Sequence, residues 1–128
     1  MRFASLGSGS RGNATLVQAG DTSLLLDCGF PARELERRLE LLAMTPDDLT
    51  AIVVTHEHGD HIRGVGPLAR RYDLPVWMTH GTSRRGKFGK ISALNLFSAH
   101  GKSITIGDIE LHPCAVPHDA CEPSQFVF

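Results

Sequence analysis

The segment Thr55-His56-Glu57-His58-Gly59-Asp60-His61 follows directly on an apolar run, Ala51-Ile52-Val53-Val54. A short apolar run of this kind reads as a buried strand. A strand that ends in imidazoles and a carboxylate delivers them into one small volume, and the rest of the chain has to fold around that volume. If the backbone stays extended through His56 and His58, their side chains leave the same face, because strand side chains alternate with period two. Gly59 lets the chain turn sharply and present Asp60 and His61 as a second, adjacent pair. The segment thus offers two metal positions. A carboxylate beside imidazoles suits zinc, manganese or iron, and a cluster without cysteine argues against a thiolate-rich structural zinc site. The competing reading is a polar turn in which Asp60 caps a helix running on from His61.

Around this segment the chain alternates strands and helices. Residues 2–6, 14–19 and 23–27 read as short strands, the last two joined by Gly20-Asp21-Thr22, a hairpin signal. Residues 31–43 read as a helix with Pro31 near its first turn and Leu35, Leu39 and Leu42 on one stripe. Residues 61–72 read as a second helix, weakened early by Gly64, Gly66 and Pro67. Pro75-Val76-Trp77-Met78 is a further strand. Residues 103–106 and 109–116, joined by Gly107-Asp108, make a hairpin whose far end leads to His118. The pattern is that of an α/β domain with a mixed sheet, free of internal repeats.

The spacing of His56, His58, Asp60 and His61 matches the His-x-His-x-Asp-His signature of the metallo-β-lactamase superfamily, which the chain resembles. Other segments fall in the order that resemblance implies. Ser5-Leu6-Gly7-Ser8-Gly9-Ser10-Arg11-Gly12-Asn13-Ala14-Thr15 is similar to the glycine-serine loop of a cytoplasmic subgroup of DNA exonucleases, the WalJ (YycJ) group. Leu24-Leu25-Leu26-Asp27-Cys28-Gly29 resembles the strand ending in the superfamily's early aspartate. Val116-Pro117-His118-Asp119-Ala120 resembles the segment that carries the third histidine of the first metal; on spacing alone His118 is an ordinary loop histidine. The resemblance implies two divalent metal ions, zinc or manganese. His56, His58 and His118 would hold the first, and Asp60 and His61 the second. Asp60 would also orient a hydroxide shared between cations roughly 3.5 to 4 Å apart. Asp27 is expected to order a ligand's second ring nitrogen instead of binding metal itself.

The implied fold is an αββα sandwich of about two hundred residues, within the size of a single large domain, whereas the chain has 128. It ends in an apolar run, Ser124-Gln125-Phe126-Val127-Phe128, without a cap or polar tail. Residues 1–128 are therefore expected to be the amino-terminal part of one such domain. The metal-bridging aspartate and final histidine would lie in a missing carboxyl-terminal half. Alone, the chain is expected to be inactive and to expose an uncovered sheet face.

Hydrophobic residues make up 41% of the chain, and no apolar stretch approaches the roughly twenty residues that span a bilayer. The glycine- and serine-rich start lacks the apolar core of a secretory signal. Cys28, Cys114 and Cys121 form no Cys-x-x-Cys pair, which suits reduced thiols in a cytoplasm. The one basic concentration is Arg84-Arg85-Gly86-Lys87-Phe88-Gly89-Lys90. Arg84, Arg85, Lys87 and Lys90 could bind phosphate, and Phe88 could stack on a base; the plainer alternative is a solvated loop. A net charge of −1 lacks the basic footprint of a protein that grips long nucleic acid with its whole surface. His80 reads as a strand-ending residue, and His100 and His112 have no ligand spacing.

The expected chemistry is metal-assisted hydrolysis of a nucleic acid or a small phosphodiester. Hydrolysis of small thioesters or lactones, as in the hydroxyacylglutathione hydrolases, is the alternative. An inactive fragment with interaction capacity only is a third reading. His58, where di-iron oxygen-reducing relatives carry glutamate, argues against redox chemistry.

Overall fold

The computed structural model describes residues 1–115 and 124–128. His118, with the rest of the segment from Val116 to Ala120, and Cys121 lie outside the described residues.

The first sheet takes its strands in chain order: β1 (Arg2–Gly7), β2 (Ala14–Ala19), β3 (Thr22–Leu26), β4 (Ala51–Val53), β5 (Val76–Thr79) and β6 (Leu94–Phe97). β1, β2 and β3 are antiparallel neighbours, whereas β3 to β6 run parallel. The β2–β3 turn is tight because Gly20 takes φ 56°, a left-handed conformation that costs glycine little. The β3–β4 register pairs Leu24 with Ala51, Leu25 with Ile52 and Leu26 with Val53. Every residue of β4 is buried, as expected for a parallel strand covered on both faces. β7 (Ile104–Ile106), β8 (Ile109–Ala115) and β9 (Ser124–Val127) form a second, antiparallel sheet.

Alternation along the strands builds two cores. Leu16, Leu25, Ile52, Val76 and Met78 face α1 (Ala32–Glu40) and α3 (Val65–Tyr72), which contribute Leu35, Leu39, Val65, Leu68 and Ala69. Val17, Leu24, Ala51 and Val53 face the other way, onto Ile106, Ile109 and Leu111 of the second sheet. Leu25 and Ile52 are fully buried, so truncating either to alanine should cost about 2–5 kcal/mol. Asp108, in the β7–β8 turn, accepts from the Asp21 backbone at 3.1 Å and donates its own N–H to the Thr22 hydroxyl at 2.7 Å, pinning one sheet to the other. The expectation of a bare sheet face is therefore corrected at the sheet's centre, which the second sheet covers. Exposure is concentrated at the edges: Phe3 on β1 and Leu94 and Leu96 on β6.

The expected helix over residues 31–43 stops at Glu40, and Ala43 lies at φ 56° in the turn beyond. The expected helix over 61–72 is two pieces, α2 (Gly59–Ile62) and α3, interrupted at Gly64. A Cβ at Gly64 would overlap the Phe30 carbonyl, so the break allows the backbone to pass close to the β3–α1 connection. α4 (His80–Arg85) and strand β6 were not anticipated from the sequence. No helix among the described residues is long and apolar enough to cross a membrane.

Candidate metal centre

The centre forms where β3 and β4 end, at the carboxyl edge of the parallel part of the sheet, the usual place for a site in such sheets. Asp27 is the first residue past β3. Its N–H reaches the Val53 carbonyl at 2.8 Å, continuing the ladder by one bond. Its φ is 63°, a left-handed conformation that aspartate tolerates better than most residues. The buried carboxylate then collects three donors from the segment after β4. Oδ1 accepts the Thr55 N–H at 2.7 Å, and Oδ2 accepts the Thr55 hydroxyl at 2.7 Å. His61 Nδ1 also lies 2.6 Å from Oδ2.

These contacts assign the ring protons. A carboxylate only accepts, so His61 carries its proton on Nδ1. The Thr55 hydroxyl has given its proton to Asp27, so it accepts from His56 Nδ1, 2.9 Å away. In the neutral rings both Nε2 atoms thereby keep a lone pair, the form a metal ion requires. Burial alone would lower the pKa of His61, but the Asp27 hydrogen bond and the charges of Asp27 and Asp60 outweigh it and raise the value above the ordinary 6.5.

β4 ends at Val53 and Thr55 makes a bend, so His56 and His58 are not on a continued strand as the period-two argument expected. The loop brings their rings together nonetheless, with centroids 4.7 Å apart, and the His56 and His61 centroids are 4.0 Å apart. His58 occupies the N-cap position of α2 without a side-chain capping bond. Asp60 sits inside the first turn, so its carboxylate is not consumed as a cap. Asp60 Oδ2 is 4.0 Å from His61 Nε2. Metal bonds of about 2.0–2.2 Å put two ligand atoms of a tetrahedral zinc roughly 3.4 Å apart, so this pair would have to close by about half an ångström to share one cation. Among the described residues no three such side chains gather around a single cation position. His56 with His58, and Asp60 with His61, each fit part of a ligand set, and the donor chemistry suits zinc.

Asn13 was not singled out by the sequence reasoning. Its backbone N–H and side-chain Nδ2 donate to the Asp60 carbonyl at 2.8 and 3.1 Å, and Nδ2 lies 3.2 Å from Asp60 Oδ2. The same amide grips Gly9, accepting its N–H at 3.0 Å and donating to its carbonyl at 2.8 Å. The glycine-serine loop is thus folded around one side chain that reaches the candidate ligand. Gly29 completes the joint: it donates to the Asn13 carbonyl at 3.0 Å, and a Cβ there would overlap the Asp60 carbonyl. The signal available in sequence was the Gly-Asn pair in that loop.

The basic stretch is divided. Arg84 and Arg85 end α4, and the chain beyond is anchored by Arg70 Nη1, which donates to the carbonyls of Phe88 at 2.6 Å and Lys90 at 3.1 Å. Phe88 is buried in the helix-side core, which corrects the expectation that it could stack on a base. Arg85 and Lys87 line a recess beside the ligand turn; Arg84 and Lys90 do not. His80, His100 and His112 are exposed, and His112 pairs with Glu110 at 3.3 Å.

Residues 7–95 match the family model described as the metallo-beta-lactamase superfamily. The chain belongs to that superfamily. Members typically bind divalent metal ions, usually zinc, and the matched span contains every candidate ligand named above except His118. Over its whole length the chain is 38% identical to an exodeoxyribonuclease YycJ of Bacillus anthracis, covering 50% of that protein. Over 99% of its length it is 36% identical to an exodeoxyribonuclease WalJ of Streptococcus pneumoniae, covering 49%. The chain thus spans about half the length of these curated relatives. Among solved structures, the Rm3 metallo-beta-lactamase superposes with a TM-score of 0.79 at 20% identity, over 97% of this chain and 52% of that one. That likeness establishes the fold: α/β, with a mixed sheet and flanking helices.

Proposed function

We propose that this chain is part of a metal-dependent phosphodiesterase acting on DNA in the cytoplasm, with an exonuclease-like activity. The observation that carries the metal chemistry is the Asp27 carboxylate, which holds the proton on Nδ1 of His61 directly and of His56 through Thr55. A histidine that merely capped a helix would need no such arrangement. The choice of DNA rests on the exodeoxyribonuclease names of relatives that align along the chain.

His56 and His58, with His118, would hold one cation through imidazole nitrogen; Asp60 and His61 would hold part of a second. The chemistry that divalent ions held by these residues would supply is a lowered pKa of bound water and an offset to the charge growing on phosphoryl oxygens. Asp60 accepts a hydrogen bond from the attacking water and so aims it. Asp27 keeps His61 in the right tautomer, and Asn13 fixes the Asp60 backbone against the glycine-serine loop. No serine or cysteine nucleophile is required.

The test uses the full-length protein, end-labelled DNA and added zinc or manganese. Cleavage should occur, vanish with chelator, and be lost in His58→Ala together with stoichiometric metal. Metal-dependent hydrolysis of thioesters or lactones without any cleavage of DNA would overturn the nuclease reading.

A further inference from the structure

A recess of about 460 Å³ opens beside the ligand turn, lined by Glu57, Gly59, Ile62, Arg63, Arg85 and Lys87. Two of its walls come from the turn itself, since Glu57 and Gly59 alternate with His58 and Asp60. Its cations come from separate segments: Arg63 directly after α2, Arg85 at the end of α4, and Lys87 two residues on. All three are exposed, and among the described residues none of them makes an ion pair. Among the described lining residues Glu57 is the single carboxylate against them, which gives a formal charge of about +2 by Coulombic counting. A larger recess of about 590 Å³ over α1 is different in kind. Its charges are already matched, with Glu34 lying 3.7 Å from Arg37 and 3.8 Å from Arg38.

The cationic recess is held in shape. Buried Phe88 and the Arg70 bonds to Phe88 and Lys90 fix the segment after Lys87, while the Thr79 hydroxyl accepts the Thr82 N–H at 3.2 Å and starts α4. Its volume falls in the range of small-ligand sites, about 300–1,000 Å³, large enough for one nucleotide. Guanidinium groups converging from two segments suit phosphate oxygens.

We infer that Arg63, Arg85 and Lys87 form an anion subsite for the phosphate of a nucleotide adjoining the scissile linkage. This rests on the reading of the ligand turn as a phosphodiesterase centre. The subsite would make a polynucleotide a better substrate than an isolated phosphodiester, because a second phosphate is engaged away from the reacting one. Arg84 and Lys90, although part of the same basic stretch, contribute little.

The experiment measures binding of a fluorescent single-stranded oligonucleotide to the full-length protein across a series of KCl concentrations, with chelator present to prevent cleavage. For single strands each phosphate contact contributes about −0.7 to the slope of log K against log[salt]. The triple variant R63Q/R85Q/K87Q, having lost one phosphate contact, should therefore lose about 0.7 from the slope and about tenfold in affinity at low salt. The charge-preserving R63K/R85K should keep most of both, and R84Q/K90Q should change the slope by much less. An unchanged slope in the triple variant, or an equal loss in R84Q/K90Q, would overturn the inference. So would loss of inorganic phosphate binding with oligonucleotide binding retained, which would mark a site for free anion. A parent protein that hydrolyses bis-p-nitrophenyl phosphate but binds no oligonucleotide sinks the subsite and spares the metal chemistry. A parent lacking metal-dependent hydrolysis, whose salt slope still falls in the triple variant, does the reverse.

Discussion

Asp27→Asn is the most informative substitution in this chain, because it preserves shape and conformation while changing one atom's chemistry. Asparagine accepts φ 63° as readily as aspartate. Its oxygen can still take the Thr55 N–H, which leaves an NH2 facing the Thr55 hydroxyl and His61 Nδ1, now 2.7 and 2.6 Å from Oδ2. That NH2 can only donate, so His61 must place its proton on Nε2, the atom a metal needs. The opposite amide orientation sets NH2 against the Thr55 N–H and leaves two donors facing each other. Either way a buried, charge-assisted hydrogen bond disappears, at a cost of about 1.5–3 kcal/mol. Loss of an outer partner of a metal-binding histidine weakens metal affinity by about 10–100-fold. Zinc affinity of the full-length protein, measured by competition with a chromophoric chelator, should drop by that factor. The metal-free protein should melt lower by on the order of 5–10 °C. A variant that binds zinc within twofold of the parent would refute the assignment of the ring protons and the role of Asp27.

Asn13→Ala should weaken zinc binding by about tenfold, as expected for a lost outer partner; Asn13→Asp should be worse, because it sets a second carboxylate about 3.2 Å from Asp60 Oδ2. The same chelator competition ranks the two, and the opposite order would count against the tether. In the metal-free protein the raised pKa of His61 contributes stability that is fully present below the unfolded value near 6.5 and fades as pH rises through the folded value. Urea unfolding from pH 5.5 to 8 should show that decline, and Asp27→Asn should flatten it. Cys28 is buried, and burial pushes its thiol up to about 12, so it should resist iodoacetamide in the native protein while Cys114, exposed, reacts; peptide mapping reads both.

The parts legible in the sequence were those in which local pattern and tertiary demand coincide. The β2–β3 and β7–β8 hairpins carry turn signals and alternation together, and the histidine segment that the family model matches carries its own spacing. Asp27 was readable as the partner of a histidine because a carboxylate at the end of a buried strand needs donors. What stayed hidden depended on approach between distant segments. The interruption at Gly64 is imposed by the Phe30 carbonyl, and Asn13 meets Asp60 across 47 positions. α4 is six residues long, contains Gly81 and has no apolar stripe; its start depends on the Thr79 side chain. β6 alternates over four residues only, at a sheet edge. Phe88 looked available because its neighbours are charged, yet it is the apolar anchor that holds them.

The parallel arrangement of β3, β4 and β5 has an evolutionary corollary. All three strands open at the same rim, and each delivers a different kind of residue there, with Asp27 after β3, the candidate ligands after β4, and the cationic segment after β5. The strands themselves are buried and leave little room for change, whereas the segment after β5 faces the ligand turn across an open recess. Exchange of residues 80–90 could retune which anionic molecules are admitted while leaving the histidines where they are. A scaffold organised in this way lets selection alter the guest list and the chemistry one at a time.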